Sequence, residues 1–299
     1  MKKLLFLFLF IANSIYAQKG VILTETANSP IMKKEMSYSV YLPASYEKSN
    51  RKYPILYLLH GMGGDHTDWV NRGETARIAL ESVEKGIAPE MIIVMPNGLP
   101  DAFYQNNFDK SVLWEDYFMK ELVPTVETKF RIHASRTYRA IAGLSMGGYG
   151  SMYLALRHKE MFSMCYAMSG AFIELEPLKV GEKANNDMFE TLYVKLWGSR
   201  KADGLPETFK ANSIQEMVKA MPEYKAPSGW QDADKALPKF ILDCGDDDFL
   251  IRANTNLFHL MKDKKMPVDF RVREGVHNWT YWRSGLEIAL EFIGKNFRD

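Results

Sequence analysis

Cysteine is scarce in this 299-residue chain, with Cys165 and Cys244 the only two. Two cysteines build no disulfide framework, so a hydrophobic core must stabilise the fold. Both stand in apolar runs, where they read either as one pair or as two buried thiols acting as small apolar side chains. An excess of charge is also missing, since 38 Lys plus Arg face 37 Asp plus Glu. No basic tract marks nucleic acid or an anionic surface as a partner. Repeats and low-complexity segments are absent from the sequence. The apolar run at the N-terminus, Leu4 to Ala12, is too short to span a bilayer as a helix. Preceded by two lysines and followed by small and polar residues up to Ala17, it has the layout of a secretory signal peptide over residues 1–17, with cleavage expected between Ala17 and Gln18. The expected mature protein, residues 18–299, is a secreted or periplasmic single domain without a membrane span.

What the sequence does hold is apolar and aromatic residues, 46% and 13% of the chain, enough for a sizeable core. Short apolar runs bounded by turn residues recur at 38–46, 53–61, 90–98, 138–145, 162–170, 239–245 and 268–275. Several are apolar at both alternating positions, as buried strands of a mostly parallel sheet are. Helical patterns lie between them at 74–86, 114–130, 254–265 and 284–297, and Pro124 is expected to kink the second or start a new turn. This alternation predicts an α/β fold, a mostly parallel central sheet flanked by helices. From Ile173 to Leu237 the rhythm breaks into polar, mixed sequence with scattered helical pieces such as 213–221. That stretch exceeds a simple crossover and reads as an insertion over one edge of the sheet that shapes a pocket.

The segment "AIAGLSMGGYG" (140–150) sets Ser145 between glycines at the end of an apolar run and the start of a helical one. Gly143-Leu144-Ser145-Met146-Gly147 matches the G-x-S-x-G elbow, in which a strand turns sharply into a helix and presents the serine oxygen above the sheet. A serine hydroxyl needs a base, and the base needs an orienting acid, in the chain order Ser, Asp/Glu, His. Of the histidines after Ser145, His259 sits inside a helical pattern, whereas His277 lies in a loop between strand and helix, where a base belongs. Four carboxylates follow in turn, Asp243 inside a strand pattern and Asp246, Asp247 and Asp248 after Gly245 at its end. Asp248, beside the apolar Phe249-Leu250, is best placed to be sheltered and to reach the histidine, because Asp246 and Asp247 come too soon after Gly245. Earlier in the chain, His60-Gly61-Met62-Gly63-Gly64 follows a strand, as oxyanion-hole loops do; the expected donors are the backbone N–H groups of Met62 and Met146. His60 is expected to brace this loop. The pattern calls for no cofactor and no metal.

With these residues assembled, the chain resembles the esterase D and carbohydrate esterase family 1 branch of the α/β-hydrolases. That branch includes feruloyl and acetylxylan esterases, S-formylglutathione hydrolase and the antigen 85 mycolyltransferases. The likeness runs over residues 35 to 297 and is carried by "YLLHGMGG", "WEDYFMKELVPTVETKF", "AGLSMGGYGSMYLAL", "DCGDDDFL" and "VHNWTYWR". It implies an acid at Asp248, a base at His277 and oxyanion donors at Met62 and Met146. The stretch 173–237 matches no member. The expected activity is hydrolysis of acyl or hydroxycinnamoyl esters on plant polysaccharide or oligosaccharide. The alternatives are an acyltransferase or general carboxylesterase on small lipid esters, and a non-catalytic binding protein on the same fold. Loops around the cleft offer Phe103, Tyr104, Trp230, Trp279 and Trp282 as aromatic walls, and Asn97, Asn106 and Asn107 as polar contacts. Tyr104, Asn97, Trp279 and Trp282 are the expected substrate contacts.

Overall fold

A computed structural model describes residues 20–181, 187–202, 204–227 and 236–297. The expected signal peptide and Trp230 lie outside the described residues. Eight strands form one sheet in the order β1-β2-β4-β3-β5-β6-β7-β8. They are β1 (Val21–Ser29), β2 (Lys34–Leu42), β3 (Ile55–Leu59), β4 (Ile92–Pro96), β5 (Arg139–Leu144), β6 (Met164–Met168), β7 (Lys239–Gly245) and β8 (Val268–Arg273). From β4 onward across the sheet every pairing is parallel, while β1 and β2 form an antiparallel hairpin joined antiparallel to β4.

The central strands β3, β4, β5 and β6 are buried at every position. This is why the sequence shows unbroken apolar runs there instead of alternation. Their side chains feed two cores in turn. Tyr57, Leu59, Ile141 and Cys165 face one layer, containing the helices Val123–Lys129, Met146–Arg157 and Ile251–Asp263. Leu56, Leu58, Ala142 and Tyr166 face the other, containing the helices Thr75–Glu84 and Trp279–Asn296. Cys165 and Cys244 are both buried free thiols.

Three features differ from the sequence reading. β1 was not expected as a strand, because most of its residues are exposed or half-buried and only Ile22 and Leu23 pack against the two cores. The helical pattern 114–130 forms, but with a π-helical segment at Phe118–Leu122 before the helix resumes at Val123. The wider turn falls just before Pro124, whose ring and missing N–H an α-helical interior does not accommodate. The inserted stretch supplies helices Met188–Trp197, Glu207–Asn212 and Ile214–Ala220. They pack over one face, against the layer holding Tyr149, Tyr153 and Leu257, where an edge position was expected. Among the described residues, no helix is long and apolar enough to cross a membrane.

Candidate functional site

Strand β5 ends at Leu144 and a helix begins at Met146, leaving Ser145 as the only residue between them. Its φ of 54° and ψ of −116° are a strained conformation for a residue with a side chain, costing on the order of 1–3 kcal/mol. The glycines around it are sterically required. A Cβ on Gly143 would lie 2.3 Å from the Gly147 oxygen, and one on Gly147 would lie 2.4 Å from the Leu59 oxygen. The Ser145 N–H donates to the Met168 oxygen at 2.8 Å, and its carbonyl accepts from Tyr149 and Ala171, both at 3.0 Å. The corner is therefore tied to β6 and to the helix that follows.

Two loops, following the parallel strands β7 and β8, meet this corner. His277 Nε2 is 3.0 Å from Ser145 Oγ, and His277 Nδ1 is 2.9 Å from Asp248 Oδ2. Asp248 is 1% exposed and its other oxygen accepts from the Leu250 N–H at 2.9 Å. Burial alone would raise its pKa, but the hydrogen bond from His277, the Leu250 N–H and the Ser169 hydroxyl outweigh burial and hold the carboxyl below its usual range. The other candidate carboxylates have different partners. The Asp246 carboxylate accepts from Gly275 N–H at 2.9 Å, and the backbone N–H groups of Asp246 and Asp247 donate to the oxygens of Arg273 and Gly275. Asp246 thus stitches the acid turn to the histidine loop. His259 stands on the helix Ile251–Asp263, as its pattern suggested.

Another of the four candidate carboxylates secures the same loop. Asp243 is fully buried inside β7 and accepts hydrogen bonds from the Tyr166 and Tyr281 hydroxyls and from Arg273 Nε at 3.1 Å. Arg273 precedes His277 by four residues and Tyr281 follows it by four. One buried carboxylate therefore pins the chain on both sides of the histidine. The Arg273 guanidinium also lies over the Tyr281 ring, 3.9 Å from its centroid, and Gly275, with φ at +145°, leaves room for that ring. The only advance signal was an aspartate within an apolar strand, a position that requires partners when buried.

The His60–Gly64 loop comes up beside the serine, since a Cβ on Gly61 would lie 3.6 Å from Ser145 Cβ. His60 is buried, and burial pushes its pKa down. The neutral ring suits its contacts, with Nδ1 donating to the Gly61 oxygen and Nε2 accepting from Gly98 N–H, each at 2.8 Å. With both nitrogens engaged, His60 braces the loop. Among the described residues no protein group accepts from the backbone N–H of Met62 or of Met146. Met146 opens the helix, so the positive end of the helix dipole also faces the serine.

The expected substrate contacts fare unevenly. Tyr104 is wholly buried, and its hydroxyl donates to the His60 oxygen at 2.8 Å while its ring packs against Trp114. It supports the loop and walls no cleft. Phe103 is buried as well, against Tyr149. Trp282 is also buried, and its ring meets His277 edge-on with centroids 4.9 Å apart, while its indole N–H donates to Ser169 Oγ at 3.1 Å. It supports the imidazole from beneath. Trp279 is half-buried between Trp69 and Trp282 with Arg72 over its ring. Asn97 Oδ1 accepts from Leu99 N–H at 2.9 Å, closing the turn after β4. Tyr104 and Trp282 are core because their hydroxyl and indole groups find internal partners, which composition does not reveal. Apolar side chains that are exposed near the histidine are Phe249, whose ring centroid is 4.7 Å from that of His277, and Val276.

Comparison with known proteins bears on the family and the fold. The family model described as "Putative esterase" matches residues 29–293. An acetyl esterase of Caldicellulosiruptor saccharolyticus is 26% identical over 277 residues, covering 89% of this chain and 96% of that protein. An endo-1,4-beta-xylanase/feruloyl esterase of Xylanibacter ruminicola is 34% identical over 152 residues, 49% of this chain but only 21% of that longer protein. A solved ferulic acid esterase superposes with a TM-score of 0.77 at 34% identity, over 93% of this chain and 99% of that one. The chain belongs to this esterase family and is a serine esterase on the α/β-hydrolase fold.

Proposed function

We propose that Ser145, His277 and Asp248 form the catalytic triad of a secreted esterase that removes acyl or hydroxycinnamoyl groups from plant polysaccharide or oligosaccharide. The observation that carries the triad is the pair of contacts at His277, 3.0 Å to Ser145 Oγ and 2.9 Å to Asp248 Oδ2. In this mechanism Ser145 Oγ attacks the ester carbonyl and His277 Nε2 takes its proton. Asp248 holds the Nδ1–H tautomer and stabilises the imidazolium that forms. The N–H groups of Met62 and Met146 receive the oxyanion. His277 then returns the proton to the departing alcohol, leaving an acyl-enzyme that water cleaves by the same steps in reverse roles.

The substrate class rests on the relatives' names, acetyl esterase and ferulic acid esterase. The secreted setting rests on the pattern of residues 1–17. A fluorophosphonate probe should label the wild-type protein and fail on Ser145→Ala, whose kcat should fall roughly 10³-fold or more with the fold intact. Labelling and activity retained in Ser145→Ala would remove the triad. For the substrate, kcat/KM on methyl ferulate and on acetylated xylo-oligosaccharide should exceed that on a long-chain acyl ester. The reverse order would move the protein to lipid esters.

A further inference from the structure

The turn after β6 carries a second serine with a left-handed backbone, Ser169 at a φ of 46° beside Ser145 at 54°. Such conformations persist in residues with side chains only where the surroundings determine them. The residues flanking Ser169 and Gly170 hold the nucleophile's backbone from both ends. Met168 O accepts from the Ser145 N–H at 2.8 Å, and the Ala171 N–H donates to the Ser145 oxygen at 3.0 Å. Ser169 Oγ accepts from the indole of Trp282, the ring that supports His277. Gly170 is buried against the serine helix, since a Cβ on Gly148 would lie 2.9 Å from the Gly170 Cα.

One side chain ties this turn to the acid. Asn254 is wholly buried, one turn into the helix that follows Asp248. Its Oδ1 accepts from the Gly170 N–H at 3.2 Å, and its Nδ2 donates to the Gly170 oxygen at 3.0 Å and to the Leu250 oxygen at 2.9 Å. The Leu250 N–H in turn donates to Asp248 Oδ1 at 2.9 Å. These partners fix the orientation of the amide, because the reversed group would set its NH₂ against an N–H and its oxygen against two carbonyls. An aspartate of the same shape would lack the donors, and a leucine would lack every polar atom.

We infer that Asn254 is a positioning residue of the proposed triad, whose side chain sets the separation between the backbone of Ser145 and the turn of Asp248. This role rests on the triad reading given above. Removing the amide orphans the Gly170 N–H alone. The Gly170 oxygen keeps the Phe172 N–H at 2.8 Å, and the Leu250 oxygen keeps the Asn254 N–H at 3.0 Å. The loss therefore falls on the turn that backs Ser145, while the helix keeps its own bonds. A shift of about 1 Å in a reacting group is enough to cost on the order of 10²-fold in rate.

The test uses the full chain and three variants. Asn254→Ala removes all three side-chain bonds. Asn254→Ser restores one, since a serine hydroxyl in a helix donates to the oxygen four residues earlier, here that of Leu250. Glu127→Gln is the control for stability alone. It weakens the buried pair in which Glu127 accepts from Arg139 Nε at 2.6 Å, at the opposite end of β5 and roughly 20 Å from Ser145. On 4-nitrophenyl acetate both Asn254 variants should lower kcat roughly 10- to 100-fold with KM within about threefold, and fluorophosphonate labelling of Ser145 should slow by the same factor. Asn254→Ala should melt about 3–8 °C below the wild type, with Asn254→Ser above it. Glu127→Gln should also melt lower, with kcat within about twofold of the wild type. Wild-type kcat in both Asn254 variants would overturn the positioning role. So would a kcat in Asn254→Ser that recovers in step with its melting temperature, or an equal kcat loss in Glu127→Gln, since kcat would then follow stability. If Asn254→Ala does not fold, Asn254→Ser decides by its own kcat, which overturns the role if it lies within about twofold of the wild type. Failure of the triad reading looks different, with the probe attached to a residue other than Ser145 in the wild type, and it would overturn the positioning role as well.

Discussion

Between Gly143 and Gly148 the backbone takes one described side-chain hydrogen bond, from the Ser151 hydroxyl of the same helix to the Gly147 oxygen at 2.7 Å. Close approach places the rest, with glycine positions facing the oxygens of Gly147, Leu59, His60 and Met168 at distances no Cβ tolerates. The loop from Arg273 to Tyr281 is held in the opposite way. Its glycine at 275 gives way to a ring, but the loop's position comes from hydrogen bonds to Asp243 and Asp246, which lie on a different strand and its turn. One side of the proposed triad is thus fixed mainly by excluded volume, and the other by paired charge and hydroxyl groups together with the close approach of Gly275 to Gly245, where a Cβ on Gly245 would lie 2.1 Å from the Gly275 oxygen. Excluded volume is insensitive to pH and salt and is disrupted by any added carbon. A polar network tolerates small steric changes and fails when a donor or acceptor is removed.

The largest effect separates chemistry from support within the polar side. Asp248→Asn should lower kcat by roughly 10²- to 10⁴-fold, because the amide offers the wrong partner to His277 Nδ1–H. Asp247→Asn should be close to neutral and Asp246→Asn should cost only several-fold, since its Oδ1 contact to Gly275 survives in part. If Asp247→Asn proved the most damaging of the three, the triad acid would have to be reassigned. On the steric side, Gly147→Ala should cost about 2–4 kcal/mol of stability and most of the activity with it, as the new Cβ would meet the oxygens of Leu59 and His60 at 2.4 and 2.6 Å. A Gly147→Ala protein with wild-type melting temperature would show that the corner relaxes.

The far end of the serine helix provides a third arrangement and a pH test. Glu115, 5% exposed, accepts from Tyr153, Arg157 and His158 at 2.8, 2.7 and 2.8 Å. Burial raises its pKa, but these three donors overcome burial and bring the carboxyl from 4.5 down to about 2. A depressed acid stabilises the fold above its unfolded pKa and loses that contribution as pH falls through the folded value. Glu115 should therefore contribute roughly 3 kcal/mol at neutral pH, fading between about pH 4.5 and pH 2. Glu115→Gln should lower stability at pH 7 and converge with the wild type near pH 2, with kcat unchanged. Stability curves that run parallel across that window would remove the assignment.

How legible each part was follows from the range over which it is held. The serine corner is determined by residues within a few positions of each other, so its glycines spell it out. The order of serine, acid and histidine along the chain pointed to the other two members of the proposed triad, and the buried runs separated by helical patterns gave the parallel sheet. The anchoring role of Asp243 was not legible because its partners are 77, 30 and 38 residues away at Tyr166, Arg273 and Tyr281. Tyr104 looked like a cleft wall because nothing local announces that its hydroxyl finds the His60 carbonyl, 44 residues earlier. β1 was missed because an edge strand with one face in water carries little apolar signal.

The smallest expected effect is also the sharpest test of the polar side. Tyr281→Phe removes one hydroxyl from Asp243 while keeping the ring that lies under Arg273 and fills the space beside Gly275. Asp243 retains Tyr166 and Arg273, so the carboxylate stays paired and the protein should fold. The lost hydrogen bond is worth about 0.5–1.5 kcal/mol, a factor of roughly 2–13 if it is felt entirely by the loop. Because Tyr281 touches neither Ser145 nor Asp248, its contribution reaches the chemistry only through the position of His277. kcat should therefore fall several-fold while KM for a small ester stays put, and fluorophosphonate labelling should slow by the same factor. Tyr166→Phe, which removes the other hydroxyl from the same carboxylate but lies on β6 away from the loop, should lower stability with a smaller change in kcat. Equal kcat losses in the two variants would mean that Asp243 stabilises the sheet generally, and that the histidine loop is held by Asp246 and the backbone alone.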